Sequence, residues 1–203
     1  MSRPGKIVCV GRNYLEHAKE LGNEVPKEPL LFLKPPSSVI GMNDAIVLPA
    51  QSQQVEYEGE IGIRIAKKIF RASEAQARAA IGGVVAVNDV TARDLQKSDG
   101  QWTRAKGFDT FCPIGADAAA PNDLSSLTVV TRVNGAERQR GAASDMAFSI
   151  PKLIAYISTI MTLEPGDLVA TGTPAGVGKL SPGDVVEVEI PGLSSIRNTV
   201  AAS

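Results

Sequence analysis

Three carboxylates are the side chains of this sequence best suited to hold a metal ion. Glu58 and Glu60 are two positions apart in a stretch whose alternation is typical of a β-strand. On a strand both would project from one face, with Cα atoms roughly 6–7 Å apart, so that one cation could bind both. Asp89 follows the apolar run 84–87, where a strand should end. Ligands of this kind suit Mg²⁺ or Mn²⁺ better than zinc. The alternative interpretation of the glutamates is the hydrated face of a half-exposed strand.

A single histidine restricts the acid–base chemistry that the chain can perform. His17 is the one histidine among 203 residues, so an imidazole base must be this residue. Glu20 follows at the i,i+3 spacing at which helical side chains meet, and its carboxylate would orient the ring and raise its basicity. The pair predicts a base that activates water, and the alternative is a surface histidine beside an incidental neighbour.

Cationic side chains close to Asp89 in the sequence could bind an anion. Lys106 and Arg93 could hold a substrate carboxylate or a developing oxyanion, and ordinary surface charge is the alternative. The glycine-rich segment 171–178 departs from the spacing of a phosphate-binding P-loop. Its backbone N–H groups and threonine hydroxyls could still bind a small acidic ligand.

The elements that must position these residues are short and mostly extended. The chain contains 19 Gly and 13 Pro, which divide it into short apolar runs and favour strands over long helices. Strands are expected at residues 6–11, 30–33, 57–65, 84–87, 128–133, 168–170 and 184–190. Asn134-Gly135 predicts a type I′ hairpin turn. Short helices are expected to begin at the N-caps Asn13, Ser73 and Ser149, and the first of them is expected to stop at Gly22-Asn23. We therefore predict a mainly β chain with two or three short helices (α+β).

Composition narrows the class of protein further. The formal charge is −1, from 21 Lys+Arg and 22 Asp+Glu, which argues against a nucleic-acid partner. No apolar run approaches membrane-spanning length and the first residues do not resemble a signal peptide, so we predict a cytoplasmic protein without a membrane partner. Cys9 and Cys112 have apolar neighbours and are expected to be core thiols. The length predicts one domain over residues 1–203.

Five ordered motifs together resemble the fumarylacetoacetate hydrolase family, and most of all its small acylpyruvase and oxaloacetate decarboxylase branch. They are Gly11-Arg12-Asn13-Tyr14-Leu15-Glu16-His17, Glu58-Gly59-Glu60-Ile61-Gly62, Asn88-Asp89-Val90-Thr91-Ala92-Arg93-Asp94, Trp102-Thr103-Arg104-Ala105-Lys106 and Thr171-Gly172-Thr173-Pro174-Ala175-Gly176-Val177-Gly178. The resemblance runs from Lys6 to about Val188 and thus covers nearly the whole chain.

The resemblance implies a fold and a set of site residues. The fold is a mixed β-sandwich roll of the C-terminal domain type, assembled as a homodimer with one Mg²⁺ or Mn²⁺ per subunit. The implied residues are the metal ligands Glu58, Glu60 and Asp89, the catalytic residues His17, Glu20 and Lys106, and the substrate-binding residues Arg93, Gln96 and Thr173. Lys106 would stabilise an oxyanion, and Glu56 stays outside the ligand set.

The resemblance also implies a reaction, which is hydrolysis of a carbon–carbon bond in a small acylpyruvate such as acetylpyruvate or fumarylpyruvate. The products would be pyruvate and a carboxylic acid, and oxaloacetate decarboxylation would pass through the same enolate. Relatives that isomerise unsaturated dioic acids in aromatic catabolism often lack the His–Glu pair, so its presence favours hydrolysis. An isomerase and a non-catalytic binding module are the alternatives. Because the first motif begins at Gly11, we expect the catalytic domain without the N-terminal domain of larger hydrolases.

Overall fold

Short strands dominate the architecture of the computed structural model, which describes residues 3–20, 22 and 26–203. The strands are β1 Ile7–Gly11, β2 Leu30–Lys34, β3 Val39–Ile40, β4 Ala45–Leu48, β5 Val55–Tyr57, β6 Gly59–Ile65, β7 Ile81–Asn88, β8 Thr91–Ala92, β9 Cys112–Pro113, β10 Thr128–Val133, β11 Ala136–Ala142, β12 Leu168–Ala170, β13 Gly178–Lys179, β14 Val185–Ile190 and β15 Ser194–Ala202. The helices are α1 Leu15–Glu20, α2 Glu74–Ala80, α3 Arg93–Ser98, α4 Thr103–Lys106 and α5 Ile150–Ile160. The predicted mainly β fold with short helices is confirmed.

Two mixed five-stranded sheets pack together and enclose most of the core. The first has the order β2-β1-β12-β6-β7 and the second the order β11-β10-β14-β15-β4, each with one parallel pair. Ile61 and Ile63 of the first sheet share a core with Val188 and Ile196 of the second, and Ile154 of α5 joins the same cluster. Burial of these apolar side chains holds the two sheets together.

One edge of the first sheet collects the segments that carry the sequence motifs. Because β1 and β12 are parallel, both end at this edge. Strand β6 runs antiparallel to β12 and begins there, and β7 runs antiparallel to β6 and ends there. The segments after β1, β7 and β12 therefore meet the start of β6, although they are far apart in the sequence.

The acidic face of the strand pair β5 and β6 is buried, and the structure corrects the alternative interpretation of a hydrated face. The chain breaks pairing at Glu58, between the two strands, and every residue of both strands is buried. Glu58 is 5 % exposed and Glu60 is 1 % exposed. Burying a carboxylate is costly unless cations or hydrogen bonds compensate it, so this face must have compensating groups or bind a cation.

Local sequence signals were right for some elements and wrong for others. Asn134 and Gly135 both have positive φ in the turn between β10 and β11, and Ser73 forms the capping box of α2. Asn13 does not cap α1, because its side chain bonds Thr171 and Phe148 instead. The predicted helix stop at Gly22-Asn23 reaches Asn23, which lies outside the described residues.

Two further expectations concern the cysteines and the membrane. Cys9 and Cys112 are both buried free thiols, as predicted. Among the described residues, no helix combines the length and apolar character needed to cross a lipid bilayer.

Candidate metal centre and active site

The three predicted carboxylates lie together at the edge where β6 begins and β7 ends. One oxygen atom from each of Glu58, Glu60 and Asp89 lies within 4.8 Å of the others. Antiparallel pairing brings them together, because the Asp89 amide donates a 2.8 Å hydrogen bond to the Glu58 carbonyl oxygen. Asp89 is fully buried. We refer to these three side chains as the carboxylate trio.

Two lysines and an arginine neutralise part of the trio. The Lys106 ammonium donates 2.7 Å hydrogen bonds to Glu58 Oε2 and Asp89 Oδ2, and Lys34 Nζ lies 2.6 Å from Asp89 Oδ1. The Arg93 guanidinium bonds Glu58 and also Glu56. Burial alone would raise the pKa of Glu58, but Lys106 and Arg93 outweigh it and hold that pKa below its usual value.

Glu60 is the least compensated member of the trio. Its partner among the described residues is the Gly172 amide, which donates a 2.8 Å hydrogen bond to Glu60 Oε2. Burial raises the pKa of Glu60, and the nearby carboxylates of Asp89 and Glu58 raise it further. A cation bound between the three carboxylates would remove this penalty.

The donor set and the charge balance both fit a divalent metal ion. The buried carboxylates in and around the trio are Glu56, Glu58, Glu60 and Asp89, counted here as ionised, and the buried cations bonded to them are Lys34, Arg93 and Lys106. One negative charge is in excess, and the trio offers oxygen ligands alone, as Mg²⁺ and Mn²⁺ prefer. The trio would hold the ion, and Glu56 is engaged by Arg93 instead.

Lys34 was not predicted from the sequence as a site residue, and it gives a first testable prediction. Replacing Lys34 with Met removes a fully buried partner of Asp89, so we expect the free energy of unfolding to fall by about 3 kcal/mol, the lower end for breaking a buried ion pair. Lys106 still compensates Asp89, which is why the larger values are not expected. Urea denaturation of the purified variant measures the change.

A matched control for this variant is Lys68→Met. The Lys68 ion pair with Glu164 is 3.0 Å long but two-thirds exposed at the lysine, so its loss should cost less than about 1 kcal/mol. Equal losses in the two variants would contradict a special role for the buried lysine.

His17 and Glu20 form the predicted dyad on α1. His17 Nδ1 lies 3.0 Å from Glu20 Oε2, and the histidine is 5 % exposed. A carboxylate can only accept a hydrogen bond, so Nδ1 carries the hydrogen and donates it to Glu20, and Nε2 is left as the basic nitrogen. His17 lines the same cavity as the trio and Lys106. The arrangement can therefore take a proton from a molecule bound in this cavity.

The glycine-rich segment 171–178 holds two of these carboxylates in place. The Gly176 amide donates to Glu20 at 3.0 Å, as the Gly172 amide does to Glu60. The sequence suggested that such N–H groups could bind an acidic ligand, but the structure uses these two for the protein's own glutamates. Gly176 has φ of +101°, and an added Cβ would lie 2.1 Å from the Arg138 carbonyl oxygen.

Gly176 gives a second testable prediction. Gly176→Ala should lower the free energy of unfolding by more than the roughly 1–3 kcal/mol expected for the backbone strain alone, because the Arg138 carbonyl must also move. The displaced amide would release Glu20, so turnover should fall as well. Gly183→Ala is the matched control, since its φ is +91° and its Cβ would meet nothing within 4 Å. Equal effects of the two substitutions on stability and turnover would refute this account.

The cavity that joins these groups is small, with a volume of about 50 Å³. The residues around it are Val10, Gly11, Arg12, His17, Phe32, Glu58, Glu60, Asp89, Gln96, Trp102, Lys106 and Thr173. Its volume is well below the roughly 300–1,000 Å³ of pockets for drug-sized ligands, so a small molecule is the expected occupant. Apolar Phe32 and Trp102 pack edge to face, with ring centroids 5.2 Å apart, and shield one wall from water.

The remaining sequence-predicted site residues are not all on the cavity wall. Gln96 and Thr173 line it, but Arg93 is behind Glu58, with its guanidinium bonded to Glu56, Glu58 and Gln96. The Thr173 hydroxyl donates a 2.9 Å hydrogen bond to the Gly59 carbonyl oxygen. The Gln139 side-chain amide donates a 2.8 Å hydrogen bond to the Thr173 hydroxyl oxygen. Gln139 was not predicted, because it lies outside every motif of the sequence.

Comparisons with known proteins find relatives along nearly the whole chain. A family model described as fumarylacetoacetate (FAA) hydrolase, C-terminal, matches residues 6–201. A mitochondrial oxaloacetate tautomerase of Arabidopsis thaliana is 46% identical and a mitochondrial oxaloacetate decarboxylase of Dictyostelium discoideum 44% identical. The matches cover 95% and 94% of this chain and 89% and 90% of those proteins.

Two crystal structures show the same fold. A 2-hydroxyhepta-2,4-diene-1,7-dioate isomerase from Mycobacterium marinum has a TM-score of 0.91 and 44% identity, over 99% of this chain and 76% of that one. A fumarylpyruvate hydrolase from Pseudomonas aeruginosa, in complex with Mn²⁺ and pyruvate, has a TM-score of 0.92 and 32% identity. That match covers 98% of this chain and 91% of the hydrolase chain. The relatives thus include a hydrolase, a decarboxylase, a tautomerase and an isomerase.

Proposed function

This chain belongs to the fumarylacetoacetate hydrolase family, and we propose that it hydrolyses a carbon–carbon bond in small acylpyruvates and also acts on oxaloacetate. The observation that carries the proposal is a buried His17, hydrogen-bonded to Glu20, that lines the same small cavity as the carboxylate trio. A base beside a site for a divalent cation suits proton transfer in a 2-oxo acid.

The trio of Glu58, Glu60 and Asp89 would hold Mg²⁺ or Mn²⁺. When bound, the ion would supply Lewis-acid stabilisation of negative charge on a 2-oxo acid. Arg93 fixes Glu58 from behind, and the Gly172 amide fixes Glu60. These contacts hold the ligand oxygens in place before substrate arrives.

His17 supplies the base of the proposed reaction. Its Nε2 takes a proton from water, and the water oxygen attacks the carbonyl carbon at C4 of the acylpyruvate. Glu20 stabilises the imidazolium that forms, and its carboxylate also accepts a hydrogen bond from the Gly176 amide. Lys106 has three N–H donors, of which two bond the trio, so one remains for the new oxyanion.

Collapse of the tetrahedral intermediate breaks the bond between C3 and C4. The electron pair of that bond passes to the pyruvate fragment as its enolate, and the acyl fragment leaves as a carboxylic acid. The proton held by His17 then completes pyruvate at C3. One water is consumed, and two acids are formed.

Oxaloacetate tautomerisation or decarboxylation is the second candidate function. It is favoured by the tautomerase and decarboxylase at 46% and 44% identity. The same Nε2 could move a proton between C3 and the 2-oxo oxygen, and loss of CO₂ would yield the same enolate as hydrolysis. No attacking water is needed for either reaction.

A substrate screen with product analysis tests the proposal. Purified protein with Mg²⁺ or Mn²⁺ is incubated with acetylpyruvate, fumarylpyruvate, maleylpyruvate and oxaloacetate, and an EDTA-treated sample serves as the control. Pyruvate plus a second acid is the expected result from at least one acylpyruvate. An isomer of unchanged mass would point to the isomerase, and change confined to oxaloacetate to the second candidate. No conversion of any substrate would leave a binding module.

The homodimer implied by the resemblance is also part of the proposal. Sedimentation velocity of the purified chain should give the mass of two 21.3 kDa subunits. A single species at the subunit mass would refute it.

A further inference from the structure

Arg12 is a cation of the cavity that the protein's own carboxylates leave available. It lines the cavity beside His17. Lys34, Arg93 and Lys106 all bond buried carboxylates. Within the described ranges, in contrast, the Arg12 side chain makes no hydrogen bond or ion pair. Its guanidinium therefore keeps its donors for another anion.

The backbone conformation at Arg12 does not explain why this position carries an arginine. Arg12 has φ of +58°, a conformation that glycine adopts with less strain. Asn13 enforces it, because its side chain bonds Thr171 and Phe148. The neighbouring Gly11 serves another purpose, since a Cβ there would lie 3.1 Å from the Trp102 ring. A strained arginine in a site that surrounding contacts fix is a reason to look for a functional role.

The charge balance of the cavity indicates what Arg12 would bind. The buried cluster around the trio carries one excess negative charge, so a divalent ion would leave one positive charge. The carboxylate of a 2-oxo acid neutralises that charge. A second carboxylate on the same substrate would need a further cation, and Arg12 lies on the cavity wall.

We propose that Arg12 binds a carboxylate at the distal end of the substrate and makes the enzyme selective for diacids. The position of that carboxylate rests on the proposed function, in which His17 faces C4, so that C4 and the group beyond it lie on the side of His17 and Arg12. Oxaloacetate carries its second carboxylate at C4 itself and fumarylpyruvate carries it beyond C4, whereas acetylpyruvate ends in a methyl group. Bidentate contacts between guanidinium and carboxylate give the selectivity.

Binding of unreactive acids tests this inference without relying on turnover. The Mg²⁺-loaded protein is titrated calorimetrically with malate, which has a second carboxylate, and with lactate, which lacks it. We expect malate to bind roughly 10–100-fold more tightly, the range for a charge-assisted hydrogen-bonded pair, and Arg12→Gln to abolish most of the difference. An unchanged ratio in Arg12→Gln, or no preference in the unaltered protein, would overturn the inference.

Two further variants separate a role in recognition from a role in folding. Arg12→Gly removes the side chain but suits the positive φ, so its melting temperature should equal or exceed that of the unaltered protein while the malate preference is lost. Arg71→Gln is the matched control, because Arg71 also has positive φ, at +49°, but is exposed and lies over Phe70. Arg71→Gln should leave the preference for malate unchanged, and loss of that preference in this control would contradict the assignment of diacid binding to Arg12.

Kinetics then distinguish failure of this inference from failure of the proposed function. If the unaltered enzyme converts both substrates, Arg12→Gln should lower kcat/KM for fumarylpyruvate roughly 10–100-fold, mainly through KM, and change that for acetylpyruvate less than about 3-fold. Equal losses of kcat/KM for the two substrates would refute the diacid contact but leave the proposed function standing. If neither is converted, the proposed function fails, and the malate and lactate titrations still decide the role of Arg12.

Discussion

Glu60→Gln should abolish turnover of every substrate while leaving the metal-free protein as stable as before or more stable. Turnover should fall by about 10³-fold or more, because removal of one ligand from a three-carboxylate set forfeits much of the several kcal/mol of charge stabilisation that a bound Lewis acid supplies. Stability should not fall, because Glu60 is a buried carboxylate with the carboxylate oxygens of Asp89 and Glu58 within 4.8 Å, and Lys106 bonds those two residues instead of Glu60. The amide oxygen of glutamine can still accept from Gly172.

Two measurements on the same preparations check this prediction. Thermal unfolding without metal should give an equal or higher melting temperature for Glu60→Gln, and added Mg²⁺ or Mn²⁺ should raise it in the unaltered protein but not in the variant. Glu187→Gln is the matched control, because that strand glutamate is partly exposed and pairs with Arg197 at 3.2 Å, outside the carboxylate trio. Retained activity in Glu60→Gln, or equal stabilisation of the variant by metal, would remove Glu60 from the ligand set.

His17→Gln is expected to lower acylpyruvate hydrolysis by roughly 10²–10⁴-fold, the usual contribution of a general base. Metal binding should be unchanged, because His17 is outside the trio and glutamine can fill much of the same space. Steady-state kinetics together with calorimetric titration of Mn²⁺ separate the two effects. Unchanged turnover in this variant would exclude His17 as the base.

Glu20→Gln tests how the histidine is oriented. Glutamine keeps an acceptor for His17 Nδ1 but lacks the charge that stabilises an imidazolium, so we expect a smaller loss than for His17→Gln. Glu16→Gln is the control on the same helix, since Glu16 is exposed and pairs with Lys19. If Glu16→Gln and Glu20→Gln lowered turnover equally, the orienting role of Glu20 would be wrong.

The parts of the fold that sequence reasoning predicted are those determined by local chemistry. Ser73 with Gln76 closes a capping box, and Asn134-Gly135 supplies the positive φ angles of a hairpin turn. The expectation that Asn13 caps α1 failed, because its side chain found partners from distant parts of the chain. Strand β15 was missed, since its alternation carries few large apolar residues.

The same division runs through the candidate site. The type and spacing of Glu58, Glu60, His17 and Glu20 indicate a cation site and a base, because side chains two apart on a strand share a face and side chains three apart on a helix are neighbours. The structure places Glu58 in the break between β5 and β6 instead of on a continuous strand, and its carboxylate still lies beside that of Glu60. Nothing in local spacing indicates that Lys34 pairs with Asp89, because the two are 55 positions apart.

The sequence by itself determined the chemical groups available to this protein, which are one imidazole, three carboxylates in two motifs and a short list of cations. The tertiary structure alone decided which of those cations are neutralised. Antiparallel pairing and parallel strand ends bring segments from four parts of the chain to one edge, where Lys34 and Lys106 bond the trio and Arg12 does not. The physical reason is that burial makes each uncompensated charge costly, so the packing of distant segments decides which charges remain available for a ligand.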